Sequence, residues 1–304
     1  MAKHVAVLMG GWSAEREVSL VTGAAVVAAC RRLGFRCSAV DVGRHVADVL
    51  HKLRPDLAFN ALHGRFGEDG AMQGLLEVMG LAYTHSGVRA SANAMDKPTA
   101  KQIFAATGLP LVPHLVRTRD EVRADPGMAP PYVIKPLNEG SSVGVRIVMP
   151  DDNFRPDDDL QWVYGDQVMI EQYVPGREIQ VAVMGDRALG AIEIRPKGRF
   201  YDYTAKYTDG QAEHLMPAPI PPEEYEQACD IALRAHRALS CRGVTRSDLR
   251  YDDSRPLGQR LVILETNTQP GMTPLSLVPE IAAHQGIGFD ELVRWMIEDA
   301  GVDR

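Results

Sequence analysis

The sequence predicts an α/β protein with more than one lobe, and three observations carry that prediction. Strand and helix signals alternate from residue 4 to about residue 90. Near Met95-Asp96-Lys97 the texture changes to short strands and turns of small residues, and alternation returns further on. A chain of 304 residues is long enough for two or three lobes with cores of their own.

Residues 4–9 are an apolar strand closed by Gly10-Gly11, and Ser13 is placed to cap a helix over residues 14–33 that Gly34 stops. A strand at 36–42, a helix at 44–53 and a strand at 56–62 complete a βαβαβ pattern. That pattern implies a parallel sheet with a ligand crevice at its strand C-termini. The loop at 63–70, with three glycines and four ionisable side chains, lies at one such end. A short helix follows at 99–107, stopped by Gly108, then an extended linker at 109–113. Strands are expected at 132–137, 143–148 and 166–173, and again at 178–184 and 188–194. A polar loop at 195–222 is too long for a mere connection and reads as a lid or binding loop. A helix at 223–239, strands at 243–251 and 260–265 and a helix at 290–299 end the chain, with no internal repeat.

Composition narrows the function classes. Hydrophobic content of 45% and charged content of 24% are ordinary for a globular protein, and a net charge of -7 without a basic block argues against a nucleic-acid partner. No apolar run approaches the ~18–20 residues of a membrane span, and the N-terminus reads as a first strand rather than a signal peptide. Cys30, Cys37, Cys229 and Cys241 lack zinc or C-x-x-C spacing, so reduced thiols in the cytoplasm are expected.

Two stretches carry chemistry. In Leu261-Val-Ile-Leu-Glu265-Thr-Asn267, alternation places Glu265 and Asn267 on one face at a strand end. Two hard oxygen donors there suit Mg²⁺ carrying nucleotide phosphates, although the same pattern fits an ordinary solvated strand end. In residues 134–144 a strand delivers Lys135 and a turn of small residues follows. Small side chains free backbone N–H groups for phosphate oxygens, and the lysine adds a point charge. No P-loop pattern occurs.

Taken in order, eight stretches of this chain resemble the ATP-grasp enzymes and, within them, the D-alanine–D-alanine ligase family. They are residues 10–19, 61–70, 95–97, 135–144, 201–207, 246–248, 265–272 and 276–279, and the resemblance spans residues 4–297. It implies a three-lobed α/β architecture: an N-terminal parallel α/β lobe over 1–95, then central (96–177) and C-terminal (178–304) lobes. Both later lobes would hold mixed or antiparallel sheets that sandwich ATP, and the loop at 195–222 would be mobile. The implied reaction joins two D-alanine molecules through a D-alanyl phosphate, for peptidoglycan precursor synthesis.

The resemblance also implies roles. Lys97 and Lys135 would hold ATP phosphates, with Glu139 and Ser142 in the turn over them, and Lys206, also ATP-binding, would close over the site with Tyr207 from the long loop. Glu171 and Glu178 would take adenine and ribose, beside the backbone of Gln172, Tyr173 and Val174. Asp248, Glu265 and Asn267 would hold two Mg²⁺ ions, with Mn²⁺ as a substitute. Glu15 would pair with the first substrate's ammonium and His63 with its carboxylate. Arg246 and the Gly271 N–H would stabilise an oxyanion, and Ser276 with the Leu277 N–H would anchor the second carboxylate. Tyr207 would join Ser141 and Glu15 in a hydrogen-bonded set. A homodimer without nucleic-acid or membrane partners is implied as well.

The chain departs from the family pattern near Gln269, where a small residue is expected, at Thr245, where glycine often precedes the arginine, and at Gln172-Tyr173, in place of the Lys-Trp often seen. Competing readings are a D-lactate or D-serine ligase on the same scaffold, with Tyr207 arguing against lactate, and a catalytically silent nucleotide-binding protein. A dinucleotide oxidoreductase fits poorly, because Gly10-Gly11 lacks the G-x-G-x-x-G spacing.

Overall fold

The computed structural model describes residues 2–138, 140, 144–152, 165–197 and 212–303. Its first lobe runs β1 (His4–Met9), α1 (Arg16–Arg32), β2 (Arg36–Asp41), α2 (Val46–Leu53), β3 (Leu57–Asn60), α3 (Ala71–Val78) and β4 (Ala82–Tyr83). These strands pair in parallel in the order β2-β1-β3-β4. Helices cover both faces, so the inner strands must be apolar on both. Val5, Val7 and Phe59 pack toward Val26 and Cys30 of α1, whereas Ala6, Leu8 and Ala58 pack toward Leu50 and Leu76.

Gly10, with φ +76°, turns the chain out of β1, and a Cβ there would lie 2.2 Å from Asp41 Oδ1. Only glycine fits such a turn. The helix after it starts at Arg16 rather than residue 14, with Glu15 in the N-cap position. Ser13 does not cap it. Its hydroxyl donates instead to the His63 carbonyl at 2.7 Å, because the 63–70 loop lies against this turn.

Next come α4 (Val88–Met95) and α5 (Lys97–Ala106). Asp96 caps α5 by accepting from the Thr99 N–H at 2.9 Å, so that helix starts two residues earlier than the sequence suggests. The second sheet is antiparallel and follows the order β5-β8-β6-β7. Its elements are β5 (His114–Thr118), α6 (Arg119–Ala124), β6 (Tyr132–Pro136), β7 (Arg146–Val148) and β8 (Gln167–Gln172).

The third sheet holds β9 (Arg177–Met184), β10 (Arg187–Pro196), β11 (Ala212–Leu215), β12 (Val244–Tyr251) and β13 (Leu261–Asn267). It is antiparallel in the order β11-β10-β9-β12-β13. The long loop expected at 195–222 is therefore shorter: β10 runs on to Pro196 and β11 pairs back onto it. α7 (Pro222–Ala238) covers one face, with Ala228, Ile231, Ala232 and Ala235 set against Ile179, Val181 and Val183. The other face packs on α8 (Leu277–His284) and α9 (Phe289–Asp299). Burying each large aliphatic side chain contributes about 1.5–3 kcal/mol. That second core is continuous with α1, and the Arg32–Asp290 ion pair at 2.6 Å closes its rim.

Among the described residues no helix is long and apolar enough to cross a membrane. The four cysteines are free thiols.

Candidate active site

Two cavities meet between the sheets. The larger, about 410 Å³, lies between β6–β8 and the face of the five-stranded sheet. Lys135, Glu171, Gln172, Tyr173, Val174, Glu178 and Asp248 line it. The smaller, about 70 Å³, is lined by Glu15, His63, Glu68, Gly140, Arg246, Asn267 and Gly271. Lys97 and Glu265 belong to both walls, with Lys97 Nζ 3.9 Å from Glu265 Oε2. The two spaces thus share a wall at one cation and one carboxylate.

Strand register builds the acidic wall. Asp248 of β12 faces Glu265 of β13, and Arg246 faces Asn267. A bulge between Asp248 and Leu249 leaves Leu264 as an extra residue, so Leu264 and Glu265 both reach the larger cavity. Arg246 grips Asp248 through two bonds, Nε to Oδ1 at 2.7 Å and Nη2 to Oδ2 at 3.0 Å. Asn267 Oδ1 accepts from the Gln269 N–H at 2.8 Å.

Two carboxylates and an amide oxygen on paired strands are donors of the kind a hard divalent cation takes when substrate phosphates complete its shell. Their chemistry fits Mg²⁺. Among the described residues no group of three or more His, Cys, Asp and Glu side chains converges as a metal cage.

The cationic wall is built around Glu171, which is 2% exposed. Lys135 Nζ lies 2.5 Å from its Oε2, and Lys101 of α5 pairs with its Oε1. Burial would push the Glu171 pKa up, but the charges of Lys135 and Lys101 outweigh it and hold the carboxyl at about 2. For Lys101 burial wins over the attraction of Glu171 and lowers the pKa. Two ammonium groups around one carboxylate favour the ionised acid.

Glu15 is buried, and its carboxylate is held between backbones that only glycine permits. A Cβ at Gly64 would lie 2.5 Å from Oε2, and one at Gly140 would lie 3.1 Å away. His63 has both ring nitrogens bonded, Nδ1 to Glu68 Oε1 at 3.0 Å and Nε2 to Thr22 Oγ1 at 2.9 Å. A substrate carboxylate would have to replace one of those partners. Ser276 stands at the N-cap of α8 behind Gly271 rather than on the cavity wall, with Leu277 buried beside it. Its hydroxyl accepts from the Thr273 N–H at 2.9 Å and would lie 2.7 Å from any Cβ on Gly271.

Residues 103–298 match the family model described as D-ala D-ala ligase C-terminus, and residues 44–86 match D-ala D-ala ligase N-terminus. The chain belongs to the D-alanine–D-alanine ligase family. A D-alanine–D-alanine ligase of Rhodospirillum rubrum is 55% identical over 306 residues, with 100% of both chains covered. One of Acidiphilium cryptum is 57% identical over 301 residues, covering 98% of each. The crystal structure of the Bacillus anthracis D-alanine–D-alanine ligase complexed with ATP superposes with a TM-score of 0.82 at 29% identity. That alignment covers 98% of this chain and 97% of that one.

Against the pattern of this ligase family, the structure brings Glu15, His63, Lys97, Arg246, Glu265, Asn267 and Gly271 to one small space. Lys135, Glu171, Gln172, Tyr173, Val174, Glu178 and Asp248 fall around the larger one. The Gln172 N–H is engaged by the Pro113 carbonyl at 3.0 Å and the Tyr173 N–H by Pro131 at 3.3 Å. Glu139, Ser141, Ser142, Lys206 and Tyr207 lie outside the described residues. Lys101, Glu68 and Thr22 are site-supporting residues that sequence reading missed. Lys101 had a signal, since it follows Lys97 by four residues and so shares its helix face.

Proposed function

We propose that this chain joins two D-alanine molecules into D-alanyl-D-alanine at the cost of ATP, with the site residues named above in the roles the family pattern suggests. The observation that carries this reading is the meeting of the two cavities at Lys97 and Glu265. One space has the volume and the cations for a nucleotide. The other is small, with a buried carboxylate and an arginine for an amino acid's two charged ends.

The first D-alanine sits with its ammonium toward Glu15, and its carboxylate oxygen attacks the γ-phosphorus while the bond to ADP breaks. Lys97 and Lys135 neutralise the phosphate oxygens, which is where most catalysis of phosphoryl transfer arises. The second D-alanine, which the family pattern assigns to Ser276 and the Leu277 N–H although Ser276 stands behind Gly271 in the unliganded protein, loses a proton from its ammonium, and its amine attacks the acyl phosphate carbonyl. The C–N bond forms, negative charge gathers on oxygen facing Arg246 and the Gly271 N–H, and phosphate leaves. Asp248, Glu265 and Asn267 would hold Mg²⁺, which supplies charge neutralisation at the phosphates. The family pattern also gives Glu139, Ser141, Ser142, Lys206 and Tyr207, which lie outside the described residues, roles toward ATP and the substrates.

The functional lobes in this reading are residues 1–95, 96–177 and 178–304. The chain works in the cytoplasm as a homodimer, supplying a dipeptide for peptidoglycan. Purified protein given ATP, Mg²⁺ and D-alanine should release phosphate in equal amount to D-alanyl-D-alanine, with L-alanine inert. Phosphate release without dipeptide, or none at all, would overturn the reading. Mass in solution by light scattering tests the dimer.

A further inference from the structure

Glu171 links the nucleotide cavity to a cation sealed behind it. Lys97 and Lys101 project from the same face of α5, but only Lys97 reaches the cavity wall. The Lys101 side chain is 0% exposed, and its ammonium meets Glu171 Oε1. The other carboxylate oxygen holds Lys135, which does line the cavity. One carboxylate therefore serves two lysines of different kinds, one that an incoming phosphate can recruit and one that it cannot touch.

Recruitment of Lys135 has a cost. A buried carboxylate that loses a paired cation and gains nothing is strongly destabilised. With Glu171 enclosed, Lys135 could turn to a phosphate oxygen only if another positive charge stayed on Glu171. Lys101 is placed for that. We propose that Lys101 is a positioning residue for nucleotide phosphate, keeping Glu171 compensated so that Lys135 is released to the ligand. The inference rests on the ATP reading of the larger cavity and adds a residue with no contact to the ligand.

Replacing Lys101 with methionine removes the charge and keeps much of the volume. Lys135 and Glu171 then remain as a matched pair in the unliganded protein, so folding survives while Lys135 is held back. Binding of ATP and of adenosine is measured by calorimetry for wild type, Lys101→Met, Glu171→Gln and the double variant, each checked for a cooperative thermal transition. Adenosine reports the purine and ribose contacts alone, so the ratio of the two affinities isolates the phosphate contribution.

The ratio is expected to fall at least about tenfold in Lys101→Met with adenosine affinity unchanged. It should recover in the double variant, where no carboxylate competes for Lys135, and Glu171→Gln alone should keep it at or above the wild-type value. Equal losses for ATP and adenosine, an unchanged ratio, or no recovery in the double variant would overturn the proposal. A tenfold fall in Glu171→Gln would do so too, even if Lys101→Met failed to fold. Wild type that takes neither ligand would overturn the nucleotide reading itself, whereas wild type that takes both beside an unaffected Lys101→Met overturns this inference alone.

Discussion

Asn60 and Gln269 meet where the parallel sheet joins the five-stranded sheet, Asn60 Nδ2 donating to Gln269 Oε1 at 2.8 Å. The same Gln269 amide donates onward to the Leu62 carbonyl, and its backbone N–H donates to Asn267 Oδ1. Asn60 also donates to the Gly67 carbonyl at 3.0 Å, which accepts from Gln73 as well. Both side chains are buried. This bridge registers the loop that carries His63 against the end of β13 at Asn267 and the loop with Gly271 that follows it. A small residue at position 269 could not span the gap.

Gln269→Ala and Asn60→Ala should each cost about 1–3 kcal/mol, because each leaves a buried amide without its partner. The double variant should cost clearly less than the sum, since the two share one contact. Urea unfolding of the four proteins measures the coupling. In turnover, the KM for D-alanine should rise while ATP affinity holds, as His63, Asn267 and Gly271, which the bridge positions, line the small cavity. Strict additivity, or equal losses for both substrates, would refute the registering role.

Glu265→Gln keeps the shape of the shared wall and removes a charge facing phosphate. Turnover should drop severely and the Mg²⁺ concentration for half-maximal rate should climb, with the thermal transition near that of wild type. Titrating Mg²⁺ in a phosphate-release assay decides it. Normal turnover at unchanged Mg²⁺ demand would remove Glu265 from the metal site.

Arg246 separates chemistry from binding. Its guanidinium holds Asp248 in the unliganded protein and borders the small cavity. Loss of an oxyanion donor typically lowers turnover about 10²–10³-fold, so Arg246→Ala should reduce kcat far more than it raises the KM for ATP. A variant that has lost its cooperative thermal transition would instead assign Arg246 to structure.

Legibility in the sequence followed the strength of local signals. The first parallel strands were readable because β1 and β3 are apolar on both faces, and Gly34 and Gly108 mark helix ends with φ of +79° and +67°. α3 was not, since its N-cap is Gly70 with no side-chain cap to announce a start. α4 is a short run of mostly small residues with no side-chain cap to announce it, and β11, Ala-Glu-His-Leu, exists only through pairing with β10. α6 had a signal that went unread, the Thr118–Glu121 capping box. In the site, residues within linear motifs were found. The partners of Lys101 and Gln269, Glu171 and Asn60, lie far along the chain and needed the fold.

His236 gives a pH test. It is buried on α7, with Nδ1 2.8 Å from the Thr245 hydroxyl, so two buried polar groups satisfy each other. Burial, reinforced by Arg237 and Arg242, pushes the imidazole from 6.5 down to about 4. Its folded pKa lies below the unfolded one, so the folded state resists the proton. Stability from this group is complete above pH 6.5 and is lost as pH falls toward 4. The full difference corresponds to about 3 kcal/mol. His236→Gln, which keeps a polar partner for Thr245 and cannot take up a proton in this range, should lose correspondingly less stability between roughly pH 7.5 and 4.5. Urea midpoints across that range for both proteins test it, and parallel curves would show that His236 is not a source of the acid sensitivity.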